Sequence, residues 1–184
     1  MDVMIVVDMQ VGLLSGPPKH DLQGVVGRID RIAAMVRERS GRVVWIRHCG
    51  KSGDDFERGT QGFEFLPGMV HHPDDCVIEK TLNDAFAGTS LKQTLVRLAP
   101  DRVLISGWAT DFCVDSTVRS AVSSDYDVVV IADGHTVSDR PHLAAPAVIE
   151  HHNFVWSGLI TNRSIRLVAA DQLIGEGENQ ASES

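Results

Sequence analysis

No apolar run in this chain of 184 residues approaches the twenty or so needed to cross a bilayer. The first, VMIVVD at 3–8, ends on an acid after a few residues and matches no leader pattern, so neither a membrane span nor a signal peptide is expected. Basic clusters are also missing. A net charge of −8 with no Lys/Arg stripe argues against a nucleic-acid binder and reads as a solubility feature. Cysteine is scarce and odd in number, at 49, 76 and 113, with no C-x-x-C pair. That argues against a disulfide framework and a thiolate zinc finger, and points to a reducing, cytoplasmic setting. No glycine-rich phosphate cradle follows the first apolar run, which continues as DMQVGLL, so a nucleotide-binding domain is disfavoured. There is no internal repeat.

What is present is an alternation. Strand-length apolar runs occur at 2–8, 42–48, 76–80, 102–107, 127–133 and 165–169. Between them lie helical patterns. The first spans 21–39, with Asp21 as the N-cap and an apolar stripe through Val25, Ile29, Ile32, Met35 and Val36. Others cover 90–98, about 111–124, and a stretch from Pro141 to about Asn153. Continuous apolar strands separated by helices predict an α/β fold with a parallel sheet covered on both faces. One domain is expected over residues 1–175, with a frayed polar tail, EGENQASES, over 176–184. Residues 49–75 break the rhythm. They are rich in glycine and charge, and Phe56, Phe63 and Phe65 favour a packed loop that shapes a pocket.

Sites in open α/β sheets lie beyond the carboxyl ends of the strands. Those ends carry Asp8, His48 with Cys49, Lys80, and Asp133 with His135, and Cys113 falls in the turn after strand four. A buried thiol is often only core packing, whereas one at a helix amino terminus is a candidate nucleophile. An acid, an amine and a thiol at three strand ends form a coherent nucleophilic set.

Three segments sharpen the choice: DMQ at 8–10, EKTLNDAFAGTSL at 79–91 and GWATDFCVDSTVRSA at 107–121. Together they resemble the signature segments of the isochorismatase-like superfamily, specifically its cysteine-hydrolase branch, over residues 2 to about 171. The resemblance implies a Rossmann-like, three-layer α/β/α sandwich on a six-stranded, mainly parallel sheet of order 3-2-1-4-5-6. It implies Cys113 as nucleophile, Asp8 as general base and Lys80 as third catalytic member. Lys80 and the helix terminus would favour the thiolate. It further implies an oxyanion hole of the Thr110 and Cys113 backbone amides, a non-proline cis peptide between Ala109 and Thr110, and a homo-oligomer. The implied reaction is amide hydrolysis of a small-molecule substrate through a thioester.

Departures from the resemblance narrow it. The nicotinamidases of that superfamily hold a metal with an Asp-x-His motif after strand two, where this chain reads RHCGKSGDDFERG. His71-His72 precede Pro73, and adjacent His151-His152 point to different faces of a helix, so no metal or other cofactor is expected. Enzymes that cleave the vinyl ether of isochorismate lack the nucleophilic cysteine. Position alone nominates Gln10, Leu14, Phe65, Phe86, Trp108, Phe112 and His135 as substrate contacts. Ureide, carbamoyl and cyclic-amide substrates stay open. So do a catalytically silent binding relative and a protein acting through its surface.

Overall fold

The computed structural model describes residues 1–181. Six strands, β1 (Asp2–Val7), β2 (Arg42–His48), β3 (Cys76–Lys80), β4 (Arg102–Trp108), β5 (Val128–Thr136) and β6 (Ile165–Val168), form one parallel sheet of order β3-β2-β1-β4-β5-β6. The period-two alternation of β1 assigns its two faces. Val3, Ile5 and Val7 pack with α2 (Leu91–Leu98), α3 (Asp115–Ser123) and Trp156 of α4 (Ala145–Ser157). Met4 and Val6 pack with α1 (Leu22–Glu38) and Leu173 of α5 (Ala170–Ala181). This is the expected three-layer α/β/α sandwich. Both faces are buried, which is why the strands read as unbroken apolar runs.

Several local expectations are corrected. Asp21 stands at the N-cap of α1 as expected, its carbonyl accepting from the Val25 amide at 2.9 Å, but at φ 46° its side chain makes no capping bond and its carboxylate accepts from Arg28 at 2.5 Å. Helix α4 begins at Ala145 rather than Pro141, since Asp139 Oδ1 takes the Ala145 amide at 2.8 Å and Pro146 fills the first turn. Strand β5 runs on to Thr136, past a register shift against β4 between Ile105 and Gly107. The tail expected over 176–184 is helical as far as Ala181, where Glu176 pairs with Arg166 at 2.5 Å, and 182–184 lie outside the described residues. Among the described residues no helix is long and apolar enough to cross a membrane.

Residues 49–75 form a packed loop with one short helical turn, Gln61–Phe63. Gln10 pairs with Phe65 as an antiparallel bridge, and the Val11 amide donates to Glu64 O at 2.7 Å. The loop is thereby stitched to the carboxyl end of β1, beside the switch point between β1 and β4.

Candidate active site

Asp8, Lys80 and Cys113 converge beyond the carboxyl ends of the strands. Asp8 follows β1 in a left-handed conformation, φ 52°, with its amide on Ile46 O at 3.1 Å. Lys80 closes β3 in register with His48. Cys113 lies in a π-helical turn, Thr110–Val114, between β4 and α3. Lys80 Nζ lies 2.6 Å from Asp8 Oδ2 and 3.4 Å from Cys113 Sγ, and donates to Leu82 O at 3.0 Å. Asp8 Oδ1 has no hydrogen-bond partner, so one carboxylate oxygen stays free to receive a proton. Asn83 Oδ1 lies 3.7 Å from the sulfur. The segment carrying Lys80 and Asn83 is tied to α3: Ala85 N donates to Thr117 Oγ1 at 3.2 Å and Ser120 Oγ to Asp84 Oδ2 at 2.7 Å.

All three side chains are buried, Asp8 and Lys80 almost wholly and Cys113 at 8% exposure. Burial raises the Asp8 carboxyl above its ordinary range, opposed by the Lys80 ammonium. Burial, reinforced by the Asp8 charge, pushes the Cys113 thiol up to about 12, with Lys80 acting in the opposite direction. Against the expectation of a favoured thiolate, desolvation and the Asp8 charge outweigh the Lys80 amine.

The cavity over the sulfur measures about 250 Å3. Its walls are His48, Asn83, Trp108 and Phe112, with Asp54, Asp55 and Phe56 from the long loop. Phe56 stacks on Trp108 with ring centroids 5.6 Å apart. Larger concavities of about 460 and 430 Å3 flank α1, but neither is lined by Cys113.

The turn holding Cys113 is fixed from several sides. The carbonyl of Ala109 accepts from the amides of Phe112 and Val114, each at 3.1 Å. Asp111 is clamped by Arg140 through bonds of 2.7 and 2.8 Å. Thr110 Oγ1 lies 2.9 Å from His135 Nδ1, and His135 Nε2 lies 3.0 Å from Asn153 Oδ1. Asn153 Nδ2 donates to Ala132 O, so its oxygen faces the ring. The bonding pattern assigns an Nε2–H tautomer that accepts the Thr110 hydroxyl proton at Nδ1. Burial lowers the His135 pKa to about 4, so the ring is neutral near pH 7. The cis peptide lies between Trp108 and Ala109, one bond earlier than expected, because Ala109–Thr110 is already the link into the turn whose first carbonyl is that of Ala109. Thr110 opens the turn, where amides precede any intrahelical acceptor.

Of the nominated substrate contacts, Trp108 and Phe112 line the cavity, Phe112 with 52% exposure. The others do not. Gln10 is fully buried and spends its amide on His48 O, Phe63 O and the His48 amide, at 3.0, 3.0 and 2.7 Å. Leu14 lines the neighbouring concavity, Phe65 packs on Trp45 and His71, and Phe86 stacks near Tyr126. His135 supports the turn from below. Asn83 and the cavity-facing roles of His48, Asp54 and Asp55 were missed. Asn83 sits within the TLNDAF stretch, three residues after Lys80, which was the available signal.

Comparison with known proteins gives the family and the fold. A family model described as the isochorismatase domain matches residues 2–156. A probable inactive nicotinamidase of Arabidopsis thaliana is 26% identical over 82% of this chain and 87% of its own. A streptothricin hydrolase of Streptomyces noursei is 28% identical over 80% of this chain, which spans 53% of that protein. The crystal structure of a putative isochorismatase-family hydrolase from Chromobacterium violaceum superposes with a TM-score of 0.86, at 23% identity, over 97% of this chain and 94% of that one.

Proposed function

The chain belongs to the isochorismatase family, and from that premise we propose that it is a cysteine-dependent hydrolase of a small-molecule amide-type C–N bond. The observation that carries the reading is the buried line of Asp8, Lys80 and Cys113, with contacts of 2.6 and 3.4 Å beneath a cavity of about 250 Å3. Asp8 removes the Cys113 proton as the sulfur bonds to the substrate carbonyl carbon. The ammonium of Lys80 offsets the charge that passes from carboxylate to sulfur. The oxyanion is received by the backbone amides of Thr110 and Cys113. Its collapse breaks the C–N bond, the proton held on Asp8 passes to the leaving nitrogen, and an acyl thioester remains. Water, deprotonated by Asp8, attacks that thioester. Breaking the C–S bond frees the acid and returns the proton to sulfur.

The scheme uses only groups of this chain and water. Three free thiols suit a reducing, cytoplasmic location. The substrate is an amide, ureide, carbamoyl compound or cyclic amide small enough for the cavity. The test is amine and ammonia release from a panel of such compounds, with Cys113→Ala and Asp8→Ala as controls. Turnover lost in both variants, with circular dichroism unchanged, supports the reading. Equal turnover by Cys113→Ala rejects it. A second reading, a catalytically silent relative, is favoured by the similarity to a probable inactive nicotinamidase. It predicts binding without release across the whole panel.

A further inference from the structure

The charges facing the nucleophile's cavity are unequal. Asp8 is matched by Lys80 at 2.6 Å, and burial lowers the His48 pKa, so that ring is neutral at pH 7. Asp54 and Asp55 remain at the mouth, both exposed. Asp54 Oδ1 accepts the Phe56 amide at 2.8 Å, which leaves Oδ2 open. Of the nearby cations, Arg140 is paired with a carboxylate and Lys19 is not. Lys19 lies 5.9 Å from the Trp108 centroid, donates to the neutral carbonyls of Ser15 and Pro17, each at 2.8 Å, and so keeps its charge, which acts on Asp55 and leaves Asp54 unmatched. Arg140 is held bidentate by Asp111.

Position also matters, because carboxylates on a loose loop would select nothing. This loop is seated by backbone. A Cβ at Gly12 or Gly62 would overlap the Asp55 carbonyl, so chain passes against chain there, and Gly50 N donates to Phe56 O at 2.9 Å. Two further polar atoms lack partners. The neutral His48 ring offers an acceptor for a ligand N–H. The Trp108 Nε1–H is a neutral donor that suits an amide oxygen but cannot balance a carboxylate.

Resting on the hydrolase reading above, we propose that this cavity selects amides bearing an ammonium or guanidinium group and rejects those bearing a carboxylate, with Asp54 and Asp55 as the selecting residues. At roughly 30 Å3 per water-sized volume, the space of about 250 Å3 suits a substrate of about eight heavy atoms. A carboxylate entering it meets two like charges against the single ammonium of Lys19. That is selection by repulsion as well as by attraction.

The test separates binding preference from turnover. Cys113 is alkylated with 2-bromoethylammonium, iodoacetamide or iodoacetate, and each rate is divided by that of the same reagent with free N-acetylcysteine. Peptide mass mapping follows Cys113 alone. The normalised cation-to-anion ratio is expected to be about five- to tenfold, falling towards one in Asp54→Asn/Asp55→Asn and in 1 M salt. In parallel, 4-aminobutanamide, butanamide and succinamate are offered as substrates, with kcat/KM expected to fall in that order. Alkylation preference without hydrolysis of any amide would sink the hydrolase reading and keep the charge selection. A ratio near or below one in the native protein, a ratio unchanged in the double variant, or no labelling by any reagent would overturn the selection itself.

Discussion

Lys80 Nζ stands 3.4 Å from Cys113 Sγ while 2.6 Å from Asp8 Oδ2, so one buried ammonium touches both the thiol and the carboxylate. The arrangement makes the two carboxylate–amine partners interdependent. Removing one member of a buried pair leaves the other charge uncompensated, at a cost of about 3–5 kcal/mol. Lys80→Met and Asp8→Asn should each lose stability of that order in urea denaturation, and the double variant should lose less than the sum. Strict additivity would show that the two charges do not depend on each other.

The thiol's environment fixes a pH signature. With Cys113 pushed up to about 12 from an ordinary 9.0, its thiolate fraction keeps growing well above pH 9. Iodoacetamide labelling of Cys113 should therefore still be accelerating at pH 10, with no plateau near 9. Turnover has the opposite requirement, an ionised Asp8, whose carboxyl burial holds above its ordinary 3.8. The acid limb of kcat/KM should accordingly lie above the normal carboxylate range, with activity lost as pH falls through it. A thiol that plateaus near its ordinary value would contradict this electrostatic account.

His135 links acid stability to the turn. Its pKa is about 4 when folded against an ordinary 6.5, so the unfolded chain binds one more proton between those values. Stability is thus complete above pH 6.5 and falls by about 3 kcal/mol on going down to pH 4. His135→Asn should flatten that slope in thermal melts at pH 4 and 7. An unchanged slope would mean that other groups account for the acid sensitivity.

Gly107 occupies φ +126° where β4 shifts register, and a Cβ there would run into the Val7 backbone. Gly107→Ala should cost more than about 4 kcal/mol or prevent folding, measured as soluble yield and urea midpoint, because neither strand can move aside. Gly27→Ala, with nothing within 4 Å of the new methyl and a helical backbone, should leave the midpoint unchanged or raised.

The strands and the placement of Asp8, Lys80 and Cys113 near their ends were legible from the apolar runs, whereas the sheet order came only from the resemblance of the three signature segments. Buried parallel strands announce themselves as apolar runs, and their carboxyl ends place the next residue at the site. Asp8 and Lys80 follow that rule, and Cys113 follows from the turn after β4. Side-chain roles set by long-range partners were not legible. Gln10 stands two residues after the base, which suggested substrate contact. Its amide instead joins β2 to the long loop, 38 and 53 residues away. His135 ends in the same position relative to its strand, yet faces Thr110 and Asn153 because β5 runs on past it. The pocket-facing loop residues Asp54 and Asp55 carry no periodicity, so only the packing of their backbone on Gly12 and Gly62 reveals where they stand.

The central claim is a covalent acyl bond to one sulfur. A good amide substrate is mixed with the protein, quenched in acid within milliseconds and examined by intact and peptide mass spectrometry. The account predicts a mass increase equal to the acyl group, on Cys113, removed by hydroxylamine and missing in Cys113→Ala. Full turnover with no adduct at Cys113, or with the same rate in Cys113→Ala, would contradict it.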